Sequence, residues 1–191
     1  LVNMKQLMLA QMMYAGDYNG CFATTVKPLA DYAGDRKVFH CPEAPDGRDC
    51  DYLVVSVITI KESDPDLSEM PVIVEWLGNH KEKLVVGYGD GHVETFDYDG
   101  KNYVGLLKFF ARLPDAKKEL LKRQFELWDQ GVFDFDPVAE TAQLLKEFHK
   151  FSDAKKYDEA LACLKQADPS NPEVQFYFVQ IYSFGEGVTK D

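Results

Sequence analysis

The dipeptide Asp90-Gly91, set between the apolar-rich runs 84–88 and 92–96, constrains this chain more than any other feature. Asp-Gly in that setting is a strong hairpin signal, because a two-residue turn needs positive φ at both positions at low cost. An antiparallel pair is predicted here, and the β-branched-rich runs 52–60 and 71–77 supply further strands. Upstream, Leu1, Met4, Leu7, Met8, Met12 and Ala15 recur at spacings of three and four, an apolar stripe along one side of a helix. Gly16 is the expected residue just past its end, followed by turn chemistry in Asp17-Tyr18-Asn19-Gly20. A long first helix packed on an antiparallel sheet is an α+β arrangement.

Beyond residue 112 the signals are helical only. Pro114-Asp115 opens a stretch with Leu121, Phe125 and Trp128 on one face, closed by Gly131. Asp136-Pro137 reads as an N-cap with proline at the first helical position, starting a helix through Leu145 and Phe148. Another covers 157–167 and is stopped by Asp168-Pro169-Ser170-Asn171-Pro172; a last one covers 173–184 and is stopped by Gly185-Glu186-Gly187. Charge shifts at the same place, from a net −9 over residues 1–100 to −2 over 101–191. Two domains are therefore expected, 1–112 and 113–191.

The total formal charge of −11 argues against a nucleic-acid binder, which needs a basic face to neutralise phosphates. It argues equally against docking on anionic lipid through a polybasic patch. The apolar run 53–60 is broken by Ser56 and Thr59, so it does not read as a bilayer span. The four cysteines lack metal-type spacing, which excludes a zinc ribbon and a disulfide-dense mini-protein.

Two stretches resemble known families. Asn3-Met4-Lys5-Gln6-Leu7 through Met13-Tyr14-Ala15-Gly16-Asp17-Tyr18-Asn19-Gly20 is similar to the segment just after the membrane helix of type IV pilin-like proteins. His80, nine residues, then Asp90-Gly91 with His92-Val93-Glu94 behind, matches the H-x9-D-G pattern of the prepilin-type, processing-associated family. Phe39-His40-Cys41-Pro42 resembles that family's F-x-C-P element. Gly87-Tyr88-Gly89 departs from it, since apolar residues and Ala more often precede Asp-Gly there. In the second half, Tyr157-Asp158-Glu159-Ala160, Leu164, Ala167 and the following Pro-rich turn resemble the second helix and exit turn of a tetratricopeptide repeat (TPR). Phe178, Tyr182 and the run from Gly185 to Asp191 resemble a Sel1-like repeat, with Val179 in place of the usual Gly. Only about one and a half repeats are visible, whereas a free-standing solenoid wants three or more, so 113–191 is not expected to be stable alone.

The resemblance implies a pilin-like α+β domain followed by an all-α TPR/Sel1-like segment. It implies a non-enzymatic, pseudopilin-like component of a bacterial secretion or pilus-like assembly, such as type II secretion or the type IV pilus. The protein would lie outside the cytoplasm in the cell envelope, partnered by other pilin-like subunits or envelope proteins. The membrane would be reached through an apolar helix of about 20 residues ahead of Leu1, after a short basic leader. The other reading is an envelope-anchored adaptor that binds a protein or peptide through its repeat helices. An envelope location permits oxidation, and the loop 43–50 contains Pro45 and Gly47, so a Cys41–Cys50 disulfide is an expectation. Cys163, in an Ala-rich helix, is expected as a buried thiol.

Chemistry has little foothold in the sequence. Asp90, His92 and Glu94 would share one face of a strand, a conceivable carboxylate–imidazole–carboxylate site. No fourth ligand stands at recognisable spacing, so the expectation is that Asp90-Gly91 makes the turn and His92 orders it. His80 is read as fixing a loop. Asp97-Tyr98-Asp99-Gly100 and Asp134-Phe135-Asp136 hint at calcium, but neither completes a calcium loop with its distal Glu. No nucleophile motif, phosphate-binding loop or H-E-x-x-H is present. No enzymatic activity, cofactor or metal is expected.

Overall fold

The computed structural model describes residues 1–45, 48–56, 60–133, 137–166 and 172–184. The chain is α+β and divides into two compact units, Leu1–Phe135 and Asp136–Asp191. The first holds helix α1 (Val2–Asp17), strands β1 (Tyr52–Val54), β2 (Pro71–Glu75), β3 (Lys83–Tyr88) and β4 (Val93–Asp97), and helix α2 (Asp115–Asp129). The strands form one antiparallel meander in the order β1-β2-β3-β4. Short 3-10 turns lie at Lys27–Asp31, Arg36–Phe39 and Val104–Phe110.

Both faces of the central strands are covered, which is why β2 reads as an unbroken apolar run rather than an alternating one. Alternation along β3 places Gly87 opposite in sense to Val86 and Tyr88. On the Gly87 side Met4 and Met8 of α1 lie directly on the strand: a Cβ on Gly87 would fall 2.5 Å from Met8 Sδ and 3.2 Å from Met4 Sδ. On the other side Tyr88 meets Phe110 edge-on, and Phe110 packs on Phe125 of α2. Gly87, within the Gly87-Tyr88-Gly89 stretch that departs from the resembling family, is thus a contact point between helix and sheet. Gly87→Ala is expected to cost about 1–3 kcal/mol through overpacking, read as a lower urea midpoint. In a Met8→Ala background the added methyl should cost less than in the native chain, and an unchanged midpoint for Gly87→Ala in the native chain would refute this helix–sheet contact.

The buried side of α1 differs from the expected stripe. Met4, Leu7, Met8 and Ala15 are buried as anticipated, but Leu1 and Met12 are exposed and Gln11 takes an inner place. Gln11 is tolerated there because its amide pairs with both backbone groups of Ala23: the Ala23 N–H donates to Oε1 at 2.8 Å, and Nε2 donates to the Ala23 carbonyl at 3.1 Å. The helix also runs past Gly16. Past its last residue, Asn19 and Gly20 take φ values of 55° and 78°, and the Gly20 N–H reaches the Ala15 carbonyl at 2.8 Å.

Helix α2 corrects the expected boundary at 112/113. Leu121, Phe125 and Trp128 do share one face, but that face is buried in the core of the first unit, with Tyr103 and Phe110. Asp129 holds the turn beneath it by accepting from the backbone N–H groups of Tyr103 and Val104. Gly131, at φ 82°, closes the helix as expected, with the Val132 N–H returning to the Leu127 carbonyl at 2.9 Å.

The second unit consists of α3 (Pro137–Asp153), α4 (Tyr157–Gln166) and α5 (Pro172–Phe184). Leu145, Phe148, Ala160, Cys163, Leu164, Val174 and Ile181 form its core. Between α3 and α4, Lys155 sits at φ 60° while Lys156 N–H reaches back to the Phe151 carbonyl at 2.8 Å, a tight left-handed helix stop. Gly47, Asp134-Phe135-Asp136, Ala167 with Asp168-Pro169-Ser170-Asn171, and the run from Gly185 to Asp191 lie outside the described residues. Among the described residues no helix is long and apolar enough to cross a membrane.

Candidate functional site

His80 lies beyond the end of β2, and the fold carries it to Cys41, thirty-nine positions earlier. Its Nε2 is 3.4 Å from Cys41 Sγ and 3.1 Å from Glu75 Oε1. Its Nδ1 is 2.9 Å from Glu43 Oε2, which accepts from it in the tautomer that carries the proton on Nδ1. One ring therefore bridges an exposed carboxylate and a deeply buried one. Glu75 is 1% exposed, and its Oε2 has no hydrogen-bond partner among the described residues. The Cys41, Glu75 and His80 ligand atoms all lie within 4.8 Å of one another.

Local chain structure explains the convergence. Glu75 is the last residue of β2 and pairs in register with Tyr52 of β1. The segment before β1 runs beside residues 39–41: Asp51 N–H donates to the Phe39 carbonyl, and Cys41 N–H donates to Asp51 Oδ2, both at 2.9 Å. The Asp51 carbonyl accepts from Trp76 N–H and from Asn79 Nδ2, each at 3.0 Å, which holds the chain after β2 against the same residue. Arg48 completes the frame, donating to Asn79 Oδ1 at 2.7 Å and lying 4.7 Å over the Trp76 ring.

The thiol–imidazole–carboxylate line Cys41–His80–Glu43 has the connectivity of a nucleophile, a base and its orienting acid. Its electrostatics run the wrong way for that chemistry. Burial, opposed by a backbone hydrogen bond at Glu43 and reinforced by the neighbouring Glu75, pushes the Cys41 thiol up to about 11. Reactive cysteines have lowered values and electropositive, partly open surroundings. Cys41 is buried beside a second carboxylate. What the group offers is a sulfur, a nitrogen and an oxygen donor aimed at one point.

The expected Cys41–Cys50 disulfide is not formed, and all four cysteines are free thiols. The two segments run side by side, but the sulfurs face different partners: Cys41 Sγ faces His80, whereas Cys50 Sγ donates to the Tyr52 carbonyl at 3.3 Å. Burial pushes the Cys50 thiol up to about 11 as well. Cys163 is a buried thiol in α4.

The other half of the H-x9-D-G pattern lies at the β3–β4 turn, and its geometry differs from the expected two-residue turn. Gly91 takes φ 89° while Asp90 does not enter the left-handed region, and Gly91 N–H donates to the Tyr88 carbonyl at 2.8 Å. This is a three-residue loop with glycine at its single left-handed position. Asp90 Oδ1 accepts from the His92 backbone N–H at 3.1 Å and contacts His92 Nδ1 at 2.5 Å. Partial burial pushes the Asp90 carboxyl up, but its hydrogen bonds and charge interaction with His92 outweigh that and hold it below the ordinary range. The His92 ring stacks on Tyr88 at 4.3 Å, and Glu94 stands 3.9 Å from Nε2. His92 orders the turn. Pro42 follows Cys41 in an exposed loop, and Asp97 and Asp99 are exposed.

Comparison with family models, with curated proteins and with solved structures found no match to this chain. Of the residues singled out by sequence, the fold brings His80 and Cys41 together and leaves Asp90, Gly91 and His92 in the β3–β4 turn. Glu75 and Glu43 were not anticipated. No local pattern marks Glu75, which ends an apolar strand where a charged residue usually signals a solvent-facing end.

Proposed function

We propose that the chain is a non-enzymatic, pilin-like component of a bacterial cell-envelope secretion or pilus-like assembly, with a repeat-type helical unit after it. The observation that supports this most is the outer side of α1. The helix buries one face on the sheet, yet Val2, Leu9 and Met13 on the opposite face are 70%, 58% and 50% exposed. A surface helix ordinarily turns charge outward, and here Lys5 and Asp17 are the only charged residues of α1. Helix-to-helix packing with neighbouring pilin-like subunits would cover that face. The family resemblance adds an apolar membrane helix ahead of Leu1 and a place outside the cytoplasm. Leu9→Glu with Met13→Glu should leave the fold unchanged by circular dichroism while releasing the protein from the envelope assembly of its native cells. Unchanged co-fractionation of that variant, or a parent reading frame that is polar ahead of Leu1, overturns the reading.

The adaptor reading draws on a different surface. On α5, Phe176 and Val179 are 55% and 59% exposed, three residues apart on one side of the helix. Charged replacements there would abolish partner capture if the helical unit is the binding module, and would leave the α1-dependent assembly intact.

A further inference from the structure

We propose that Cys41, Glu75 and His80 form a binding site for a single zinc ion, with Glu43 as the outer partner that orients His80. The donor set is a thiolate sulfur, an imidazole nitrogen and a carboxylate oxygen, which suits a borderline-soft divalent cation rather than calcium or magnesium.

The spacing of the donors supports this. With zinc bonds of about 2.3 Å to sulfur and about 2.0–2.1 Å to nitrogen and oxygen, tetrahedral edges are about 3.5 Å for S···N and about 3.3 Å for N···O. The structure places Cys41 Sγ 3.4 Å and Glu75 Oε1 3.1 Å from His80 Nε2. Two of the three edges thus match, and the third, from Cys41 Sγ to the Glu75 carboxylate, lies within the 4.8 Å that bounds all three donors. Three protein ligands leave the fourth position for water.

Two further features point to a cation. Glu75 is buried to 1% exposure, and its Oε2 lacks a hydrogen-bond partner among the described residues, a costly arrangement for a carboxylate without a cation. Glu43 Oε2 lies 2.9 Å from His80 Nδ1, placed to accept its proton. With the proton on Nδ1 that contact leaves Nε2 free to ligate, and such carboxylate–histidine partners accompany metal-bound histidines as a rule. The ion would enter from the exposed Glu43 side, and the Cys41 thiol proton would leave to solvent as the S–Zn bond forms. With no ion bound, the same ring as an imidazolium would simply bridge Glu43 and Glu75, and Cys41 would be a bystander. The two cases differ in what Cys41 does.

The test is a titration of the full, tag-free chain with zinc chloride against a chromophoric chelator. One equivalent is expected to bind. Cys41→Ser and His80→Asn should each weaken it at least tenfold, and Glu43→Gln, at an exposed position, by about 10–100-fold. Because inner substitutions can unfold the chain, two measurements use the native sequence. Zinc should raise the urea midpoint of the native chain, and cobalt(II) in place of zinc should give a thiolate-to-cobalt charge-transfer band. Absence of zinc binding, undiminished binding in folded Cys41→Ser, or a cobalt(II) spectrum without the thiolate band overturns the proposal in favour of the imidazolium bridge.

Discussion

Replacing Trp128 by alanine is expected to cost the first unit about 3–5 kcal/mol, the range for removing a fully buried large aromatic. Trp128 is 1% exposed, edge-on to Tyr103 at 5.1 Å and tilted against Phe125 at 5.5 Å. Domain stabilities of about 5–15 kcal/mol make this loss about a fifth or more of the total. With a slope of about 1–3 kcal/mol per molar urea, the midpoint should fall by roughly 1–5 M. The chain has two tryptophans, and both are in the first unit, so Trp76 still reports after the substitution. Trp76 packs on Phe133 at 4.1 Å, near the far end of the same unit. If α2 belonged to the repeat-type helices, as its sequence position suggests, the Trp76 transition would not move. A shifted transition places the boundary after α2.

That boundary shows where the sequence stops being informative. Leu121, Phe125 and Trp128 announce an amphipathic helix, and Gly131 announces its end, because both signals are local. Which apolar surface the stripe meets is a matter of long-range packing, and the stripe is equally suited to another helix or to a sheet. The β3–β4 hairpin was legible for the same local reason, although its loop has three residues rather than two because Gly91 alone takes the left-handed conformation. Gln11 was not legible at all. A polar residue in the buried face of α1 is stable only because Ala23, twelve positions on, presents both its backbone groups to it.

The candidate site sits at the extreme of this scale. His80 and Cys41 were visible as parts of two separate family-like elements, with no hint that the elements touch. Glu75 carries the site's most unusual property, a buried carboxylate, yet in sequence it is the polar end of Pro71-Val72-Ile73-Val74. Its burial follows from the register Tyr52↔Glu75 and from the loop that brings Cys41 over the strand end. No spacing rule contains that register.

Asp51→Ala is the second substitution with a large expected effect, about 2–4 kcal/mol, because one side chain and one peptide unit knit three segments together. The carboxylate is buried and accepts the Cys41 N–H at 2.9 Å, so alanine leaves that donor without its acceptor, worth about 1–3 kcal/mol. Arg48 and His40 stand 3.6 Å from the same carboxylate. Both are partly exposed and regain water when it is removed, so their share is small. The main cost is therefore the lost hydrogen bond and the space around it, not the lost charge. Asp51→Asn separates the two: its carbonyl still accepts from Cys41, and the expected loss is about 1 kcal/mol. Urea unfolding followed by Trp76, which lies under Arg48, measures both variants. Equal losses for Ala and Asn would mean that the charge facing Arg48 and His40 dominates. The expected order also bears on zinc, since Asp51 sets the position of the Cys41 backbone: Asp51→Ala should weaken the ion's binding while Asp51→Asn preserves most of it. A sulfur that stands 3.4 Å from the His80 nitrogen tolerates little drift in the loop that carries it.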